Sequence, residues 1–335
     1  MFVLDSHCDT PCLMIKGMDI LSGAPGGHVD IPKLKAGGVD ASFFALYTSA
    51  DLSPDAATRR ALEMLASICD AVGKYPGSLA LATSPSEAVH NKERGLISIL
   101  IGMENGAPIQ RSLSLLRLFH RFGVRYMTLT HNGDNEIADA AMDGKRWGGL
   151  SPFGREVVAE MNSLGMIVDV AHVSDRTFDD VLSCSSAPVL STHSCCRAIA
   201  NHPRNMTDDM IRRMSDKGGV IQINFYPVFL SDAYAKACQE FGEGAFPRPS
   251  AEDVVRHIDH AVKVAGIDHV GIGTDFDGIE VTPEGLEDIS RLPVIFDLLV
   301  KKGYSEDQVE KIAGGNFLRV FDEVCKASTH PGPRR

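Results

Sequence analysis

Leu100-Ile101-Gly102-Met103-Glu104-Asn105-Gly106 closes an apolar run, residues 96–104, on a carboxylate. The run has the length and composition of a strand buried on both faces, as strands of a parallel sheet are. Leaving Glu104 there unpaired would be costly, so it needs an arginine or metal ions as partner. The same arrangement recurs along the chain. Strand-length runs at 2–9, 41–48, 96–104, 126–131, 166–172, 189–193, 219–225 and 270–275 alternate with amphipathic stretches at 55–72, 112–122, 152–164, 175–182, 207–217 and 251–265. Ser112 and Ser174 stand where helices should start, and Gly123, Gly165 and Gly303 where they should stop. Eight buried-type strands separated by helices predict a parallel sheet, and the number eight predicts closure into a (β/α)8 TIM-type barrel with helices outside. One catalytic domain is expected over residues 1–335. An open doubly wound sheet is disfavoured, because polar groups end nearly every strand instead of gathering at one switch point. The one long irregular region, 133–151, follows the fourth strand, and a loop on the catalytic face of a barrel is expected to touch substrate.

Five of the predicted strands end in metal-ligand chemistry: His7-Cys8-Asp9, Glu104, His172, His193 and Asp275. Alternate strand residues share a face, so His7 and Asp9 can converge on one ion. Neutral imidazole with carboxylate suits zinc, and a carboxylate can bridge two ions. His7, Asp9, Glu104, His172 and His193 are too many for one open catalytic zinc and suit two ions sharing a carboxylate. Taken singly, His131, His172 and His193 would each read as hydrogen-bonded structural histidines; their coincidence at strand ends points to a metal site. Asp275, in Gly273-Thr274-Asp275-Phe276-Asp277-Gly278, suits a proton shuttle between water and a leaving amine. Asp277 reads as a turn residue before Gly278. Arg204, in Asn201-His202-Pro203-Arg204-Asn205-Met206, has a fork able to grip a carboxylate, a surface arginine being an equal reading. The chemistry implied is that of a metal-dependent hydrolase.

Composition narrows the partners. A net charge of −11, with no basic stripe to offset it, argues against nucleic acid. No run approaches the roughly 20 apolar residues that span a bilayer, so no membrane partner is expected. Met1-Phe2-Val3-Leu4 leads into Asp5-Ser6-His7 without a basic or long apolar segment, so a cytoplasmic location is expected. The eight cysteines are scattered and are expected as reduced thiols, the adjacent Cys195 and Cys196 being poor disulfide partners.

In order along the chain, the His7-Cys8-Asp9 start, Phe43-Phe44-Ala45-Leu46-Tyr47, Gly102-Met103-Glu104-Asn105-Gly106, Leu129-Thr130-His131-Asn132, Asp169-Val170-Ala171-His172-Val173-Ser174, Ser191-Thr192-His193-Ser194, Arg204-Asn205 and Gly273-Thr274-Asp275-Phe276-Asp277-Gly278 resemble the membrane dipeptidase (renal dipeptidase-like) family of zinc peptidases, and within it the bacterial members. The likeness runs from Asp5 to Arg319. It implies a zinc-dependent dipeptidase with two Zn2+ per chain, His7, Asp9 and Glu104 holding one and Glu104, His172 and His193 the other. It further implies that a metal-bridging hydroxide attacks the peptide bond of L-L and L-D dipeptides. His131 would then contact the scissile carbonyl or its oxyanion, Arg204 the C-terminal carboxylate, and Tyr47 the substrate pocket, while Asp275 shuttles the proton. Small dipeptides are the implied partners, with a homodimer by analogy. Cys195-Cys196 depart from the small residues that the resemblance sets after His193. A barrel amidohydrolase acting on phosphoesters, lactones or cyclic amides fits less well, since those enzymes usually start with His-x-His and many bridge their metals with a carboxylated lysine. A metal protein that binds peptides without turnover would be expected to lack Asp275.

Overall fold

The computed structural model describes residues 1–242 and 247–330. Nine parallel strands form one sheet: β1 (Leu4–Cys8), β2 (Ala41–Tyr47), β3 (Leu79–Leu81), β4 (Ile97–Glu104), β5 (Val124–Thr128), β6 (Ile167–Asp169), β7 (Leu190–Ser194), β8 (Val220–Ile223) and β9 (Val270–Ile272). Eight of them run in the order β1-β2-β4-β5-β6-β7-β8-β9. The ring comes together just beyond β9, where Asp275 N donates to the His7 carbonyl at 3.0 Å and Asp9 N to the Phe276 carbonyl at 2.8 Å. The expected (β/α)8 barrel with outer helices is the observed architecture. β3, absent from the sequence reading, pairs only with the start of β4; three residues carry too little pattern to be seen.

Two apolar layers hold the barrel. Inside its lower half, Leu4, Phe43, Leu100, Tyr126, Ile167, Leu190 and Val220 pack against Phe317, Val320, Phe321 and Val324. Those last four lie on the C-terminal helix Asn316–Lys326, which stoppers the end opposite the site. Outside, the other strand faces bury against the surrounding helices, whose boundaries follow capping chemistry. Pro54–Lys74 starts after Ser53, whose hydroxyl accepts from Ala56 N, and Pro152–Leu164 starts after Ser151 and ends at Gly165 in the left-handed conformation. The helices Ile31–Ala36, Pro85–Glu93, Asp232–Phe241 and Asn316–Lys326 escape the sequence reading, and Leu292–Lys301 is marked in it only by its stop, Gly303.

The strands are shorter than their apolar runs. β6 stops at Asp169 rather than His172, because Ala171 N turns to the Asp169 carboxylate at 3.0 Å instead of to a neighbouring strand. His131, His172 and Asp275 therefore each stand three residues past a strand, on the rim loops, and not on strand ends as expected. No described helix is long and apolar enough to cross a membrane.

Candidate metal centre and active site

Glu104 ends β4 with its side chain turned into the barrel mouth, almost wholly buried. One of its oxygens, Oε2, lies 3.5 Å from His7 Nε2. The other, Oε1, lies 2.9 Å from His172 Nε2 and 3.5 Å from His193 Nε2. Asp9 Oδ2 is 3.6 Å and Asp275 Oδ1 4.0 Å from His7 Nε2. The five residues expected as ligands thus converge on Glu104, one of its oxygens facing His7 and the other His172 and His193, while the His7 and His193 rings themselves stand 3.9 Å apart.

Backbone irregularities aim these side chains. The β1–β2 ladder shifts register between Asp5 and Cys8, and the β7–β8 ladder between Ser191 and Ser194; each shift brackets a histidine. His172 (φ 65°) and Asp275 (φ 63°) sit in the left-handed region, where a side chain bearing a Cβ costs on the order of 1–3 kcal/mol. Both turn the chain back toward the mouth. At Gly278 an added Cβ would meet Asp9 Oδ2 at 2.1 Å and Asp275 Oδ1 at 2.8 Å, so glycine there admits the two carboxylates.

Hydrogen bonds on the far ring nitrogens set the tautomers. His172 Nδ1 lies 3.0 Å from Asn132 Oδ1, an acceptor, so Nδ1 carries the proton and Nε2 presents a lone pair. Thr192 donates its hydroxyl proton to Asp169 Oδ2 at 2.7 Å, which leaves its oxygen to accept from His193 Nδ1 at 2.9 Å. His7 Nδ1 meets the Tyr126 hydroxyl at 2.8 Å. Contacts of this kind are the ones that orient imidazoles for metal binding.

Several observations show that the residues fit metal ions. His172 Nε2 and His193 Nε2 stand 2.8 Å apart with lone pairs facing, which is repulsive without a cation between them. His7 Nε2 and Asp9 Oδ1 are buried without a hydrogen-bond partner. Burial, and then Arg204, hold His172 well below the ordinary imidazole range; burial and then His7 do the same for His193. Both rings are therefore neutral, with a lone pair available on Nε2. Burial and the Glu104 charge push Asp9 up to about 7, and burial pushes Asp275 up to about 6. Against its own burial, the carboxylates Glu104 and Asp9 drive His7 well above its usual range. An anion-rich, desolvated cluster of this kind calls for added positive charge. The ligand-type clusters His7-Glu104-His193, Glu104-His131-His172 and His7-Asp9-Asp275 each bring their donor atoms within 4.8 Å of one another. Imidazole with carboxylate is the donor set of zinc and its neighbours in the first transition row.

Above the cluster opens a cavity of about 710 Å3 lined by Tyr47, His131, Arg204 and Asp275, among others. His131 Nε2 lies 4.0 Å from Glu104 Oε1, with the Tyr47 ring edge-on to it at 4.9 Å. Burial keeps the His131 imidazole below its usual range. Asp275 Oδ2 accepts from Asn224 Nδ2 at 2.9 Å. Arg204 is no surface residue: it is 4 % exposed, Nη2 donates to the His193 carbonyl at 3.2 Å, and Nε has no partner. Burial lowers its pKa to about 10, which leaves it charged at neutral pH. Asp277, read as a turn residue, does have the turn's left-handed φ of 65°, and its carboxylate also accepts from Thr10 Oγ1 at 2.7 Å and His28 N at 2.6 Å.

Cys195 and Cys196 are free, buried thiols that donate to the carbonyls of Asn224 (3.2 Å) and His257 (3.4 Å), behind the site rather than in it. The irregular segment 133–151 is held by its own carboxylates: Asp134 accepts from the amides of Ala140, Gly144, Lys145 and Arg146, and Asp139 from those of Trp147, Gly148 and Gly149. It stands beside the cavity without lining it, contrary to the sequence expectation. Walls not foreseen come from Cys12, Lys16, Arg60, Tyr226, Phe229 and Glu280. Of these, Arg60 stands about two turns into the helix Pro54–Lys74 that follows β2.

A parallel barrel with a carboxylate set between two groups of ligand-type residues at its mouth defines a metal-dependent hydrolase. The sequence profile of the membrane dipeptidase family (peptidase family M19) matches residues 1–331, and the chain belongs to that family of metallodipeptidases. An uncharacterized dipeptidase of the fission yeast Schizosaccharomyces pombe is 37 % identical over 339 residues, covering 95 % of this chain and 80 % of the relative. Among solved structures, the probable dipeptidase PvdM from Pseudomonas aeruginosa superposes with a TM-score of 0.90 at 26 % identity, covering 98 % of this chain and 96 % of that one. A metallopeptidase from Rhodobacter sphaeroides, liganded with a phosphinate mimic of the dipeptide L-Ala-D-Ala, superposes with a TM-score of 0.87 at 26 % identity, covering 97 % and 99 %.

Proposed function

We propose that the protein hydrolyses the peptide bond of unblocked dipeptides, L-L and L-D alike, with two zinc ions per chain. His7, Asp9 and Glu104 would hold one ion and Glu104, His172 and His193 the other. The observation that carries this reading is the position of Glu104, one oxygen toward His7 and the other toward His172 and His193. Bound there, the ions would supply a water of lowered pKa and polarisation of the carbonyl. Tolerance of a C-terminal D-residue is supported by the phosphinate ligand of the Rhodobacter sphaeroides relative.

The chain's own groups divide the remaining work. His131, neutral and at the cavity wall, donates a hydrogen bond to the scissile oxygen as negative charge develops on it. Asp275, with Oδ2 fixed by Asn224, takes a proton from the attacking water and delivers it to the departing nitrogen. A carboxyl whose affinity for protons is raised by burial can do both near neutrality. Arg204, buried and with Nε unsatisfied, binds the free C-terminal carboxylate and so restricts substrates to those ending at that point. Tyr47 packs on His131 and keeps its ring in place.

The test is a panel of L-Ala-L-Ala, L-Ala-D-Ala and L-Ala-L-Ala amide, assayed before and after chelation. Both free dipeptides should be cleaved, and chelation should abolish the cleavage. The amide, which leaves the Arg204 guanidinium unpaired, should be poorer by roughly 10²-fold or more in kcat/KM. Equal cleavage of amide and free acid would remove the dipeptidase reading in favour of a broader amidohydrolase.

A further inference from the structure

Arg60 and Arg204 occupy opposite walls of the cavity. In the eight-strand ring, β2 and β7 stand four places apart and so face each other across the mouth. Arg204 is tied to β7 through the His193 carbonyl. Arg60, on the helix Pro54–Lys74, is tied to the end of β2: its Nε donates to the Tyr47 carbonyl at 3.2 Å, and its Nη2 approaches Cys12 Sγ at 3.6 Å. The rest of the guanidinium finds neither an acceptor nor a carboxylate among the described residues. Its helix neighbour Arg59, by contrast, pairs with Glu63 at 2.8 Å. A guanidinium held by two anchors with its fork free is preorganised for an incoming carboxylate. Lys16, from the segment after neighbouring β1, lines the same cavity and also has no acidic partner among the described residues.

We infer that Arg60, assisted by Lys16, determines specificity by reading an acidic side chain on the N-terminal residue of the dipeptide. The inference rests on the proposed dipeptidase reading, in which Arg204 takes the C-terminal carboxylate. With that end fixed at β7 and the scissile bond above Glu104, the N-terminal residue extends toward the β1–β2 wall. There a glutamyl or aspartyl carboxylate meets the free edge of the Arg60 fork. The substrate class is thus a doubly anionic dipeptide, one carboxylate to each arginine. Glu280, exposed on the segment after β9, is the cavity group that would instead favour a basic side chain.

The experiment measures kcat/KM of the metal-loaded enzyme for L-Glu-L-Ala, L-Gln-L-Ala, L-Lys-L-Ala and L-Ala-L-Ala. L-Gln-L-Ala matches L-Glu-L-Ala in shape and lacks only the charge. A charged hydrogen-bonded pair predicts a Glu-over-Gln preference of about 10-fold to 100-fold. Arg60→Gln should bring that ratio close to one, and Arg60→Lys should retain part of it. Because the ratio is internal to each variant, partial loss of folded enzyme does not alter it. Should Arg60→Gln fail to accumulate, Lys16→Met reads the same wall and should lower the ratio about threefold. A parent ratio near one, a ratio unchanged in these variants, or a preference for L-Lys-L-Ala would overturn the assignment while leaving the dipeptidase reading intact. If none of the four peptides is cleaved, the dipeptidase reading itself fails.

Discussion

The ring of Tyr126 occupies the place where a Cβ on Gly102 would stand, its Cζ 2.1 Å from that point. The two residues are cross-strand partners in the β4–β5 ladder, and the absence of a side chain at 102 lets the Tyr126 hydroxyl reach His7 Nδ1 at 2.8 Å. A glycine two residues before Glu104 thus helps aim a histidine on another strand. Tyr126→Phe should fold normally and weaken metal binding at the His7 side by about 10-fold to 100-fold, the usual cost of removing such support. Gly102→Ala should add an overpacking penalty of about 1–3 kcal/mol to the same metal defect. Urea unfolding and metal affinity measured on both variants check this. Parental metal affinity in Tyr126→Phe would show that the hydroxyl does not orient His7.

Asp275→Asn should keep its metals and lose kcat by on the order of 10²-fold or more, because an amide cannot accept the proton. The Asn224 contact fixes the side chain in the parent, so Asn224→Ala should lower kcat by a smaller factor with little change in KM. Activity of Asp275→Asn within a few-fold of the parent would exclude it as proton carrier.

Glu104→Gln should deplete both metals together, since Glu104 is the residue shared by the two groups of ligand-type side chains. His7→Ala should deplete one site in preference. Elemental analysis of the two proteins reads the difference, and identical partial occupancy would contradict the division of ligands.

Stability should fall on mild acidification for reasons separate from the metals. His257 is fully buried, accepting from Cys196 N at 3.1 Å and donating to the Leu230 carbonyl at 3.2 Å. Burial pushes it from 6.5 down to about 4. The unfolded chain therefore binds the extra proton first: this stabilisation is complete above pH 6.5 and is lost as pH falls toward 4. The loss reaches about 3 kcal/mol, from a shift of this size at 1.36 kcal/mol per unit. His120 and His202, less buried and also lowered to about 4, act in the same direction. Denaturant unfolding at pH 7 and pH 5 should show the decline, with a shallower slope in His257→Gln. Equal slopes would assign the acid sensitivity elsewhere.

The barrel and its ligand-type residues were legible because both are written locally. A buried strand is a short apolar run, and a His, Asp or Glu ending it has no cheap structural explanation. Glu104 and His193 are read in this way. What escaped is set by contacts distant in sequence. The burial of Arg204 depends on β7 and Phe229, and nothing in Asn201-His202-Pro203-Arg204 carries a periodicity that reveals it. Arg60 looks like any polar position on an amphipathic helix until β2 and Cys12 are brought against it. Asp169 reads as part of a strand, and only the fold connects it through Thr192 to His193. Strand ends were overrun because side-chain acceptors, such as the Asp169 carboxylate for Ala171 N, replace the ladder at the rim.

The proposed function requires two ions at the Glu104 cluster, and the decisive experiment strips the protein of metal and titrates zinc back while following L-Ala-L-Ala hydrolysis and bound metal together. Activity should be absent in the stripped protein and should reach its plateau at two equivalents per chain. Full activity without metal, or a plateau at one equivalent with the second site empty, would contradict it.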